Sequence, residues 1–99
     1  MSRKNKRFSI IQKDLNTCIV CDRFGTEKHH VVFGNNRKLS DKYGLLVGLC
    51  YEHHQGTYGV HGREGNKINR ILKEMAQEAF ERQVGTREDF MEIFGRSFL

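Results

Sequence analysis

The spacing of hydrophobic residues changes part-way along this chain, and the change separates two kinds of structure. In the middle, Val31-Val32-Phe33 and Leu45-Leu46-Val47 with Leu49 are short, dense apolar runs. Runs of this length, rich in Val and bounded by turn residues, predict two short strands. Gly34-Asn35-Asn36 breaks the first run and Gly48 interrupts the second. Residues 35–44 between them are polar and basic, and read as a long loop of the sort that touches a ligand. The two strands can pair as an antiparallel hairpin. From Asn66 onward, Ile68, Ile71, Leu72, Met75, Ala76, Ala79 and Phe80 recur at steps of three and one. That is one face of an α-helix, with Lys67, Arg70, Lys73 and Arg82 outside it. Asn66 is the expected N-cap and Gly85 the stop. Thr86, with Asp89 three residues on, makes a shortened capping box. It predicts a last helix that buries Phe90, Ile93 and Phe94 and ends at Gly95.

Before residue 30 the pattern is thinner. Residues 1–7 read as a flexible basic arm, and Phe8, Ile10 and Ile11 as a short strand or turn laid on the core. Cys18-Ile19-Val20-Cys21 is a tight knuckle followed by a turn from Asp22 to Gly25. Tyr51 to Gln55 begins a helix, and Gly56, Gly59, Gly62 and Gly65 make the next stretch irregular. The 99 residues therefore read as one α+β domain. Its parts are the arm at 1–7, a core at 18–61 and a helical part at 66–99.

Composition narrows the function classes. Hydrophobic residues at 37% and charged residues at 29% fit a folded soluble chain, not a disordered one. No apolar run reaches the roughly 18 residues a membrane helix needs. The basic N-terminus has no apolar stretch behind it, which argues against a secretory signal. The expected compartment is therefore the cytosol, where thiols stay reduced and cysteine spacing is read as metal binding. A net charge of +5 points to a polyanion, with nucleic acid the simplest choice. Arg3, Lys4, Lys6 and Arg7 on the arm and Arg37, Lys38 and Lys42 in the loop are the expected phosphate contacts. Such contacts hold the backbone and carry no sequence information.

The odd count of three cysteines calls for a histidine as fourth ligand. Cys18 and Cys21 form one pair with a two-residue gap, and Cys50 and His53 form the other. That spacing lets both members of a pair reach one Zn2+. Knuckle, hairpin, then a second pair at a helix start is the layout of a treble clef. Its zinc would be structural, with binding energy that becomes folding energy.

His29, His30, His54 and His61 remain. Neighbours on a strand face opposite sides, so one of His29 and His30 faces the groove and the other the body. On a helix, His53 can face zinc while His54, about 100° round, faces the hairpin. A histidine from the strand and one from the helix can thus meet. With a divalent cation and a water, that meeting point suits phosphodiester hydrolysis.

The stretch from Cys18 to His54 resembles HNH nucleases of the ββα-metal, or His-Me finger, type. The matching residues are Cys18 and Cys21, then His29-His30, then Cys50, His53 and His54. The resemblance implies His30 as general base, with His29 and His54 holding a catalytic Mg2+ or another divalent metal. The alternative register makes His29 the base and His30 a ligand. His61 is an additional candidate ligand. The family's middle Asn falls where this chain has Leu45. Phe33-Gly34, Arg37-Lys38-Leu39-Ser40, Gly59-Val60-His61 and Phe94-Gly95 are similar to small HNH-like proteins common in phage genomes. The implied fold is a zinc-stabilised ββα-metal core with two C-terminal helices. The implied activity is DNA cleavage or nicking, on double-stranded DNA, in phage or mobile-element DNA processing or recombination, in the host cytosol. A homodimer would turn two nicks into a double-strand break. The competing readings are a zinc-stabilised DNA-binding protein without chemistry and, less suited to the basic surface, a protein-interaction module.

Overall fold

The computed structural model describes residues 8–32 and 36–99. The order of elements is β1 (Glu27–His30), α1 (Arg37–Tyr43), β2 (Leu46–Leu49), α2 (Tyr51–Gln55), α3 (Asn66–Gln83) and α4 (Arg87–Phe94). Among the described residues the protein is thus a small α+β structure, a two-stranded sheet with four helices. β1 and β2 are antiparallel, in a register that sets Glu27 opposite Leu49 and His30 opposite Leu46. Arg3, Lys4, Lys6 and Arg7 of the expected arm lie outside the described residues, as do Phe33, Gly34 and Asn35.

The first strand sits earlier than expected. It ends at His30, and Val31 and Val32 turn inward as buried residues. Beyond the strand, two of their backbone groups keep partners, as buried polar groups favour. Val31 N–H donates to the Leu45 carbonyl, and the Ser40 hydroxyl donates to the Val32 carbonyl. Residues 37–43, expected as loop, are the helix α1. Leu39 and Tyr43, four apart, pack on the core, and buried Ser40 lies between them. Gly44, at φ 73°, ends this helix in the left-handed conformation.

All four residues of β2 are buried, so this strand is covered on both faces. The knuckle covers part of it. Ile19 N–H donates to the Gly48 carbonyl, and a Cβ at Gly48 would run into the Leu15 and Thr17 carbonyls. Gly48 therefore allows close approach of a second backbone. The knuckle closes on itself through Cys18 N–H to Arg23 O and Asp22 N–H to Cys18 O, with Asp22 at φ 65°. Phe8 to Ile11 forms a turn, not a strand. Ser9 donates to the Leu46 carbonyl and accepts from Ile11 and Gln12 N–H.

The C-terminal helices follow their apolar spacing, with local corrections. Leu72, Ala76, Ala79 and Phe80 are buried on α3, and Phe80 meets Phe90 of α4 edge to face. Ile71 is exposed, lining an apolar groove with Ile19, Val20 and Met75. Gly65, not Asn66, is the N-cap, and no side chain caps that end. Instead Asn69 donates from within the helix to the Val60 and Gly65 carbonyls. Val84 is the C-cap, and Gly85 follows it with its N–H on the Phe80 carbonyl. α4 begins with the expected reciprocal pair. Asp89 N–H donates to Thr86 Oγ1 and Thr86 N–H to Asp89 Oδ2. Gly95 at φ 88° ends it.

Candidate metal centres and the histidine cleft

The two cysteine-containing pairs meet as their spacing requires. Ligand atoms of Cys18, Cys21, Cys50 and His53 all lie within 4.8 Å of one another. Cys21 Sγ is 3.8 Å from Cys50 Sγ, and His53 Nδ1 is 3.2 Å from Cys50 Sγ and 3.6 Å from Cys18 Sγ. Zinc–sulfur bonds of about 2.3 Å in a tetrahedron give edges of roughly 3.8 Å, so the group fits such an ion. The knuckle brings the first pair, and Cys50, as N-cap of α2, brings the second. The four residues could therefore hold a metal ion such as zinc.

The backbone prepares these thiols for that role. Burial opposes the Cys18 thiolate, but N–H groups of Cys50, Cys21 and Val20 outweigh it, bringing the thiol down to about 6. At Cys21 the Arg23 N–H favours the thiolate. Burial and the sulfurs of Cys18 and Cys50 together overcome it and raise the pKa. Sulfurs this close cannot all ionise without a cation among them.

A second group forms where β1 passes α2. Ligand nitrogens of His29, His54 and His61 also lie within 4.8 Å of one another. The rings meet with centroids 5.4 Å apart for His29 and His54, 5.3 Å for His29 and His61, and 4.8 Å for His54 and His61. Strand, helix and glycine-rich loop each supply one ring. The loop is tied to the helix by His61 N–H donating to the His54 carbonyl. Burial, then the charges of His54, His61, His30 and Lys73, push His29 down to about 3. The same causes, burial first and then His54, lower His61, against an opposing pull from Glu27. Neutral imidazoles are the form that ligates a metal. His54 Nδ1 is engaged by Glu27 Oε1, which leaves Nε2 as the nitrogen that can ligate.

These three rings line a cleft of about 310 Å³ with Lys28, His30 and Arg37. The structure thus groups His29, rather than His30, with His54 and His61. His30 is buried, and its Nε2 lies 3.1 Å from Asp41 Oδ1 on α1. Of the expected phosphate contacts, Arg37 is brought to the cleft. Lys38 and Lys42 are exposed on α1 and do not line it. Leu45 is wholly buried in the core.

Glu27 and Asp41 belong to this region and carried no sequence expectation. Strand alternation could have found Glu27, since it stands two residues before His29 and shares its face. Asp41 had no such signal while its segment read as loop. No helix of the described residues is long and apolar enough to cross a membrane. No family model, no curated protein and no solved structure matches this chain.

Proposed function

We propose that this protein is a metal-dependent endonuclease of the HNH type, built on a ββα-metal core with a treble-clef zinc knuckle. Cys18, Cys21, Cys50 and His53 would hold structural zinc, and His29, His54 and His61 a second divalent ion. The substrate would be DNA. The observation that carries this reading is the meeting of three imidazoles at one point of a cleft that also contains His30 and two cations. A stabilising zinc site alone has no need of it. The three nitrogens suit a borderline transition metal better than Mg2+, which prefers oxygen ligands.

Bound there, a divalent ion supplies Lewis-acid stabilisation of charge on the scissile phosphate and leaving oxygen. The chain's own groups do the rest. His30, engaged at Nε2 by Asp41, retains Nδ1 to accept a proton from the attacking water. Arg37 and Lys28, lining the cleft, offer charge to phosphate oxygens.

The test is nicking of supercoiled plasmid with Mg2+, Mn2+, Ni2+ or EDTA, beside a His29→Ala, His30→Ala double variant. Metal-dependent nicking that the variant lacks supports the enzyme. Plasmid binding without nicking under any metal supports the second reading, a DNA-binding module on the same scaffold. One observation favours that second reading. The position of the expected Asn is the buried Leu45, and no Asn lines the cleft among the described residues.

A further inference from the structure

We propose that Asp41 is the positioning residue for His30. It fixes the ring plane and tautomer of that histidine so that Nδ1 is the nitrogen presented to substrate. The proposal deepens the nuclease reading and rests on it for the identity of that substrate.

His30 is the last residue of β1, where the chain leaves the ladder, and its side chain is 8% exposed. A ring at a strand end can turn about its side-chain bonds unless something holds it. Asp41 Oδ1, 3.1 Å from Nε2, is that hold. An ionised carboxylate only accepts hydrogen bonds, so the shared proton belongs to His30 Nε2. A neutral imidazole with its proton on Nε2 has its lone pair on Nδ1. One contact therefore decides both the direction of the ring and which nitrogen can act as base.

The carboxylate is itself well placed. The hydroxyl of Ser40, its neighbour, donates to the Val32 carbonyl, and the Ser40 backbone carbonyl accepts from Leu45 N–H. Val31 N–H donates to the Leu45 carbonyl in turn. These bonds join α1 to the residues directly after His30 and directly before β2. Tyr43 then anchors the other side of α1 against Phe80 and Phe94. Asp41 is thus carried on a short helix pinned to the same strand end as the histidine it holds. That is the rigid support a base needs. Asp41 does not itself line the cleft, whereas His30 does, so it acts through His30.

The experiment uses full-length, zinc-loaded protein with Asp41→Ala and Asp41→Asn. The asparagine keeps the shape and a carbonyl oxygen that can accept from Nε2–H. Long-range 1H–15N spectra read the His30 tautomer directly. Wild type is expected as a single Nε2–H tautomer, Asp41→Ala as a mixture, and Asp41→Asn close to wild type. Nicking should show a kcat about 10- to 100-fold lower in Asp41→Ala. KM for plasmid and affinity for the second metal should stay within about twofold, with partial recovery in Asp41→Asn. An unchanged His30 tautomer in Asp41→Ala overturns the proposal. So does a loss that falls on KM and metal affinity instead of kcat. If wild type shows no nicking under any of the metals, the nuclease reading fails, and the tautomer spectra alone decide the role of Asp41. Should the alanine variant not fold, the isosteric Asp41→Asn decides. A His30 tautomer mixture there with unimpaired nicking overturns the proposal.

Discussion

Glu27 Oε1 lies 2.5 Å from Nδ1 of His54, joining the first residue of β1 to the helix that follows β2. The carboxylate is more than half exposed while the imidazole is nearly buried. A carboxylate on one ring nitrogen sets the tautomer, turns the other nitrogen toward a metal and makes it a better donor. Glu27→Ala should therefore weaken metal binding at the proposed His29, His54 and His61 site by about 10- to 100-fold. The cluster of Cys18, Cys21, Cys50 and His53 should be untouched, since Glu27 is not part of it. Calorimetric titration of the zinc-loaded variant with Ni2+ measures the first effect, and zinc content after dialysis the second. Equal Ni2+ affinity in variant and wild type would show that Glu27 does not support that site.

Loss of the knuckle should be far more severe. Cys18 and Cys50 are both buried, and the knuckle joins β2 through Ile19 N–H on the Gly48 carbonyl. In a domain of this size a metal held there would supply a large share of the folding energy. Structural zinc contributes on the order of 10 kcal/mol in small finger peptides. Cys50→Ser, or exhaustive chelation of wild type, should abolish the cooperative thermal transition by circular dichroism. A sharp transition surviving metal removal would mean that the apolar core alone holds the fold.

How far the sequence reached depended on how local each signal was. The Cys18, Cys21, Cys50 and His53 set was legible because two-residue gaps fix ligand geometry whatever lies between the pairs. The α3 face and the Thr86–Asp89 cap were legible for the same reason, since helix period and capping are local. α1 was not. Its polar residues outnumber Leu39 and Tyr43, and its formation depends on Phe80 and Phe94, which come much later in the chain. Missing α1 hid Asp41, and with it the partner of His30. The choice between His29 and His30 as ligand also lay beyond strand alternation. Alternation separates the two faces without saying which one meets His54 and His61.

Leu45 offers a direct test of whether a polar residue belongs at that place. Its side chain is fully buried, and its carbonyl accepts from Val31 N–H. Leu45→Asn removes apolar contacts and buries an amide among Val, Leu and Phe side chains. The expected cost is about 2–5 kcal/mol, read as a lower urea midpoint. Under the proposed nuclease reading, nicking per folded molecule should not rise. A variant as stable as wild type and more active would place this residue in the site, against its burial.

Burial of His29 sets a sign for the pH dependence of stability. Its pKa is about 3 in the folded protein, against an ordinary 6.5. Between these values the unfolded chain binds a proton that the folded chain does not. Stability must therefore fall as pH drops through 6.5, and keep falling until about 3, by about 1.4 kcal/mol per pH unit at most. His29→Leu removes this term and should flatten the dependence. The measurement is the difference in urea midpoint between pH 7.5 and 5.5, for wild type and variant, both zinc-loaded. Parallel losses in the two proteins would assign the acid sensitivity to other groups.

Gly62 links the loop to the histidine cleft. A Cβ there would strike the Gly56 and Thr57 carbonyls, so the two arms of the loop touch backbone to backbone at this point. His61 is the adjacent residue, and its N–H is already committed to the His54 carbonyl. Gly62→Ala must push the loop outward, with an overpacking cost of about 1–3 kcal/mol. The displacement falls on His61 before it reaches His29 or His54, which stand on regular elements. Ni2+ affinity at the proposed histidine site should therefore drop by more than the loss of global stability explains, while binding at the cysteine cluster is kept. The discriminating comparison is His61→Ala alone and combined with Gly62→Ala. If Gly62 acts through His61, the double variant binds Ni2+ no more weakly than His61→Ala. Additive losses would mean that the glycine supports the cleft by another route.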